Sequence, residues 1–218
     1  MEIARAEQVS KGFGGVFRLG PIDVGISSGQ ILGVVGPAGS GKTTLLQLFW
    51  GFMRPDDGSI SIFGIQPHLN QPLLRRCVGY VAQNPRFPAG FTTRQFLRFA
   101  GHFYEGWEDD CASRLLDELG IDPNSRIQNL SNGERIKAAI VAAASHKPAL
   151  LLLDEPTSSV DDLARLHILR FLKRLAAEER TAILLSCRLP DDLDYIARGV
   201  LMLRDGRAIE YASSLEES

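Results

Sequence analysis

Gly36-Pro37-Ala38-Gly39-Ser40-Gly41-Lys42-Thr43-Thr44 is the stretch from which the rest of the chain is read. It fits G-x-x-x-x-G-K-[ST], the pattern of a loop that wraps phosphate groups. Ile31-Leu32-Gly33-Val34-Val35 precedes it as a continuous apolar run, the pattern of a parallel strand buried on both faces. A helix is predicted over Lys42 to Gly51. The glycines let the backbone turn closely, so that N–H groups from Gly36 to Thr44 face phosphate oxygens at the positive end of that helix. Lys42 would neutralise β- and γ-phosphate charge, and the Thr43 hydroxyl would ligate Mg²⁺. The bland alternative is a glycine-rich turn with a solvated lysine, and the strand–loop–helix setting argues against it.

Outward from the loop, Leu150-Leu151-Leu152-Leu153 is a second buried strand, ending in Asp154-Glu155. Ligands of open α/β sheets bind at the carboxyl ends of the strands. Asp154 is placed to hold Mg²⁺ through its water shell. Glu155, pointing to the other side, can polarise a water in line with the γ-phosphate. Alone, the two acids could equally cap the turn Pro156-Thr157-Ser158.

The remaining segments complete an α/β pattern. The first thirty residues are glycine-rich, with apolar runs at Val16 to Leu19 and Ile22 to Ile26, and read as small antiparallel strands. A helix is predicted from Glu108 to Leu119 with Gly120 as its stop, and another after Leu130. Leu163, Leu166, Leu169, Leu172 and Leu175 are spaced for one face of a further helix, which leads to a strand at Ala182 to Leu185. Val200 to Leu203, Asp205-Gly206 and Ala208 to Tyr211 read as a closing hairpin. The expected fold is a phosphate-loop α/β core from 1–83 and 149–218, with an N-terminal antiparallel β subdomain and an inserted helical lobe at 84–148.

Bulk properties narrow the class. The chain has 218 residues, 44% hydrophobic and 23% charged, with a net charge of −2, which gives no footprint for nucleic acid. Cys77, Cys111 and Cys187 are widely spaced and read as reduced packing thiols. No apolar run approaches the ~20 residues of a membrane-spanning helix. Met1-Glu2-Ile3-Ala4-Arg5 has no apolar signal core behind it. The expectation is a cytoplasmic protein with no membrane insertion of its own, held at the inner face of the cell membrane by a partner.

Leu130-Ser131-Asn132-Gly133-Glu134 precedes a helical stretch, and Ser131 with Glu134 makes a capping box. A helix N-terminus with a serine and a glycine is also an anion site, and spacing alone does not choose between the two. The ordered set of phosphate loop, Gln83, Leu130–Glu134, Leu153-Asp154-Glu155-Pro156-Thr157 and Ser158-Ser159-Val160-Asp161 resembles the ATP-binding cassette (ABC) transporter ATPases over almost the whole chain. That resemblance implies ATP and Mg²⁺ as cofactors. It makes Phe13 the aromatic that stacks on adenine, and Gln83 a residue that touches Mg²⁺ and the attacking water. It places Ser131 and Gly133 on the γ-phosphate held by the opposite subunit, and Asp161 in the loop between subunits. The implied partners are a transmembrane subunit and a second ATPase subunit, identical or different, in a head-to-tail dimer. His102-Phe103-Tyr104-Glu105-Gly106-Trp107 resembles a bacterial exporter branch associated with antibiotic resistance and envelope stress.

Two departures stand out. Asn132 and Glu134 replace a glycine and a glutamine of the usual signature, so Glu134 adds negative charge near a phosphate unless Arg135 offsets it. After the strand at Ala182, Ser186-Cys187-Arg188 puts Arg188 where the family has a histidine that bonds the γ-phosphate. Arg188 either reaches the phosphate as a permanent cation and joins Glu155, Gln83 and Lys42 in catalysis, or leaves a site that closes and turns over slowly. The leading function is an ATPase that powers a transporter. The competing ones are a degenerate nucleotide-binding partner of a second, competent ATPase, and a soluble member acting in DNA repair or translation. Phe96, Phe99 and Phe103 lie at helical spacing and read as lobe core. Phe87 and Phe91, in a loop just past Gln83, are expected to line a groove for the membrane subunit.

Overall fold

The computed structural model describes residues 1–188 and 191–213. In chain order its strands are β1 (Glu2–Phe13), β2 (Phe17–Ser27), β3 (Ile31–Val35), β4 (Asp57–Ile62), β5 (Val78–Val81), β6 (Leu150–Asp154), β7 (Ala182–Cys187), β8 (Gly199–Arg204) and β9 (Arg207–Ser213). The α-helices are α1 (Lys42–Phe49), α2 (Gln71–Cys77), α3 (Thr93–Gly101), α4 (Asp109–Leu119), α5 (Asn132–Ala144), α6 (Asp162–Glu178) and α7 (Asp191–Asp194).

Two sheets form. β2, β1 and β4 make a three-stranded antiparallel sheet in that order, while the larger sheet runs β5-β6-β7-β3-β8-β9. In the larger sheet β5, β6, β7, β3 and β8 are parallel, and β9 closes the edge antiparallel to β8. Side-chain alternation along these strands feeds two cores. Leu151 and Leu153 of β6, with Ile183 and Leu185 of β7, face the helices α3 to α6. Leu150, Leu152 and Leu184 face α1 and the antiparallel sheet. That division is why the central strands read as unbroken apolar runs.

Several expectations are adjusted. The apolar runs at Val16 to Leu19 and Ile22 to Ile26 belong to one strand, and Val16 is 94% exposed in the turn before it. β1, twelve residues long, holds a register shift between Ala6 and Val9, with Gln8 at φ 48°. α1 ends at Phe49 and not at Gly51, because Gly51 takes φ 72° just past the Trp50 cap. α4 begins at Asp109, with Glu108 as its cap and Gly120 closing it in the left-handed region at φ 67°.

The leucine stripe of α6 does not stay on one face. Leu169, Leu172 and Leu175 are buried with Ile168 and Phe171, whereas Leu163 and Leu166 are exposed. Phe96 is partly buried against the core, but Phe99 and Phe103 are exposed, contrary to the reading of all three as core. The closing hairpin forms as expected, with Asp205 and Gly206 both at positive φ.

Candidate active site

The phosphate loop leaves β3 and enters α1 through Gly41, which caps the helix at φ 104°. A Cβ there would stand 2.7 Å from Leu19 Cδ1 and 3.1 Å from the Phe17 ring, so this position needs glycine on both grounds. Lys42 turns its amino group back into the loop, donating to Gly36 O at 2.7 Å and Pro37 O at 3.0 Å. Ser40 is buried, and its hydroxyl oxygen has no hydrogen-bond partner among the described residues.

β6 delivers the two acids beside this loop. Asp154 is buried and accepts from the Thr43 hydroxyl at 2.8 Å and from the Ser186 hydroxyl at 2.8 Å. Its charge adds to burial in pushing the Tyr80 phenol up to about 12, burial being the larger cause. Thr43 and Asp154 together offer hard oxygen donors at the foot of the loop, the ligand type that Mg²⁺ prefers. The residues present therefore fit that ion.

Glu155 follows in the left-handed region at φ 46°, a conformation costing a non-glycine residue roughly 1–3 kcal/mol. Its N–H donates to Ser186 Oγ at 2.9 Å, which fixes the backbone at the strand end. Three groups converge on its carboxylate. Lys42 Nζ lies 3.1 Å from Oε1, and Oε2 accepts from Gln83 Nε2 at 2.8 Å and from Arg188 Nε at 2.8 Å. Burial pushes the neighbouring Cys187 thiol up to about 12, which leaves it an inert packing group.

These residues line an open cleft of about 530 Å³, whose walls include Phe13, Phe17, Gly39, Lys42, Gln83 and Arg188. Phe13 stands at its rim, its ring 6.3 Å from that of Phe17. The cleft thus brings together Phe13, the loop, Gln83, Glu155 and Arg188 from five separate parts of the sequence, with Asp154 directly behind Thr43.

The signature residues gather elsewhere. Ser131 caps α5 with the full capping box, accepting from Glu134 N at 3.2 Å while the Glu134 carboxylate accepts from Ser131 N at 2.8 Å. Asp161 caps α6 through Ala164 N at 2.9 Å. The two helix starts touch, since a Cβ on Gly133 would lie 2.7 Å from Ala164 Cβ. The Asn132 side-chain amide donates to Ser159 O. None of Ser131, Asn132, Gly133, Glu134 and Asp161 lines the cleft. Arg135, expected to offset Glu134, instead lies over the Phe87 ring, 5.4 Å from its centroid, and among the described residues makes no ion pair with Glu134.

Ser186 escaped the sequence reading as a site residue. Its signal was available: a polar residue at the carboxyl end of a buried strand, in register with Asp154. Phe17, the second ring of the cleft, reads from sequence only as a strand residue.

The fold and cleft define a phosphate-loop, nucleotide-binding α/β protein. Residues 19–158 match the ABC transporter family, and the chain belongs to it. It is 36% identical over 201 residues to the molybdenum import ATP-binding protein ModC of Brucella suis biovar 1 (strain 1330), covering 85% of this chain and 54% of that one. It thus spans about half the length of that relative. The bacitracin transport ATP-binding protein BcrA of Enterococcus faecalis is 27% identical over 210 residues, covering 95% of this chain and 68% of BcrA. A solved ATP-binding subunit of an ABC transporter superposes with a TM-score of 0.86 at 26% identity, over 97% of this chain and 90% of the other.

Proposed function

We propose that this chain binds Mg-ATP in the cleft and hydrolyses it to drive a membrane transporter. The observation that carries the reading is the convergence of Lys42, Gln83 and Arg188 on the Glu155 carboxylate beside the Thr43–Asp154 pair. Phosphate entry draws Lys42 away from Gly36 O, Pro37 O and Glu155 towards the β- and γ-phosphates. Thr43, Gln83 and Asp154 would hold Mg²⁺, which when bound supplies positive charge against the β- and γ-phosphates. Glu155, held at the strand end by Ser186, orients a water and takes its proton as it attacks the γ-phosphate. Phe13 offers its ring to the adenine.

A single chain leaves Ser131 and Gly133 outside this cleft. That arrangement supports a head-to-tail pair in which each subunit's α5 start completes the other's nucleotide site, the partner being a second copy or a different ATPase. Segment 84–148 would then act as the lobe that carries the signature. Beside Gln83 lies a groove of about 340 Å³ lined by Tyr80, Pro85, Phe87, Phe96, Phe99 and Phe103, which suits an apolar helix of the transmembrane subunit. Phe91, expected from the sequence to line the groove with Phe87, is not in its wall: its ring meets Phe99 edge-on, 5.9 Å between centroids. No helix among the described residues is long and apolar enough to cross a membrane. Such a subunit would hold the chain at the cytoplasmic face.

The resemblance of His102 to Trp107 to an exporter branch points to export. The relatives include one named for molybdenum import and one for bacitracin transport, so direction and substrate are left to the transmembrane subunit. The second reading, a degenerate partner of a competent ATPase, is favoured by one contact: Arg188 occupying the Glu155 carboxylate. Sedimentation of the Glu155→Gln protein with and without Mg-ATP tests the self-paired form. A nucleotide-dependent dimer supports it, and a monomer at saturating nucleotide contradicts it.

A further inference from the structure

We infer that Arg188 acts on Glu155 and not on the nucleotide: it is the standing counter-ion that keeps this carboxylate neutralised when Lys42 turns to phosphate. The inference rests on the reading of the cleft as a Mg-ATP site.

Among the described residues, the ion pairs of Glu155 are with Lys42 and Arg188. The Lys42 pair is temporary, because that amino group also spans Gly36 O and Pro37 O and is the cation placed to receive phosphate. Once it moves, Oε1 loses its cation just as a polyanion arrives. The carboxylate has little freedom to retreat: it is almost wholly buried, and its backbone is pinned at φ 46° by the bond to Ser186 Oγ. A buried charge that loses its partner is strongly disfavoured. Arg188 answers both problems. Its Nε already sits 2.8 Å from Oε2, and its side chain is 55% exposed and therefore stays hydrated. Gln83 shares the same oxygen but brings no charge.

One consequence follows for the reaction. Arg188 should favour ATP binding indirectly, by cancelling repulsion between Glu155 and the γ-phosphate. Arg188 is therefore a positioning residue, and its contribution exists only while residue 155 carries a charge.

The test is a double-mutant cycle on Mg-ATP affinity, measured by titration calorimetry on the full chain, with Mg-ADP in parallel. Arg188→Ala is expected to weaken Mg-ATP binding about tenfold or more, and Mg-ADP less. In the Glu155→Gln background the same change is expected to cost less than about threefold. Arg188→Lys should recover most of the loss, since charge at that place is what matters. An equal loss in both backgrounds would mean that Arg188 touches the nucleotide itself, and no loss in either would mean that it does not compensate Glu155. Either result overturns the inference while leaving the nucleotide site standing. Absence of Mg-ATP binding by the unaltered protein would overturn the functional reading along with it.

Discussion

Lys42 Nζ lies 3.1 Å from Glu155 Oε1, and both side chains are buried, at 4% and 6% exposure. The cation of the phosphate loop and the acid at the end of β6 thus form one buried pair, although 113 positions of sequence separate their numbers. The same amino group bonds the Gly36 and Pro37 carbonyls, so it ties the loop to itself and to the sheet.

Lys42→Ala should therefore cost stability as well as nucleotide binding. It leaves Glu155 with Arg188 and Gln83 alone and frees two loop carbonyls, a loss of about 1–3 kcal/mol in urea unfolding. Adding Glu155→Gln should return part of that stability and none of the binding.

Gly41→Ala places a Cβ 2.7 Å from Leu19 Cδ1 at φ 104°. We expect roughly 1–3 kcal/mol of destabilisation and loss of Mg-ATP binding, because the loop must rotate to relieve the contact. Unfolding midpoints and a nucleotide titration check it.

Ser131→Ala removes the hydroxyl that accepts from Glu134 N. Helix capping predicts a stability loss of about 1 kcal/mol. The functional reading predicts a separate effect, failure of Glu155→Gln protein carrying this change to dimerise with Mg-ATP. A dimer of normal affinity would place Ser131 outside the nucleotide interface.

His146 is buried and stacks on Tyr104, 4.2 Å between rings. Burial pushes its imidazole down from 6.5 to about 4. Between those values the unfolded chain binds the proton and the folded one does not, so stability falls as pH drops through that window and is intact above it. Across the whole window the loss is about 3 kcal/mol. His146→Phe keeps a ring on Tyr104 and should lose less stability than the unaltered protein between about pH 7 and about pH 4.5.

What the sequence made legible follows from periodicity and local chemistry. Leu150 to Leu153 and Ile31 to Val35 read as central strands because both their faces are covered, and the two cores take alternate residues. Gly120 and the Ser131–Glu134 box announced helix ends because capping is local. The stripe from Leu163 to Leu175 misled because three-residue steps fall ~60° short of a helical turn each time, so its first two leucines rotate out to solvent. Phe99 and Phe103 misled for a different reason: helical spacing does not say what covers a face, and α3 ends at Gly101, before Phe103. The bonds of Ser186 to Asp154 and of Arg188 to Glu155 join neighbouring strand ends, a pairing that exists only once β6 lies beside β7.

Steady-state Mg-ATP turnover by the purified chain, beside Glu155→Gln, tests the central claim most directly. The account predicts turnover well above that control, lost in Lys42→Ala, with Arg188→His altering the rate because it changes the partner of Glu155. Turnover equal to the Glu155→Gln control, together with a gain in Arg188→His, would contradict it and make this chain the non-catalytic half of a pair.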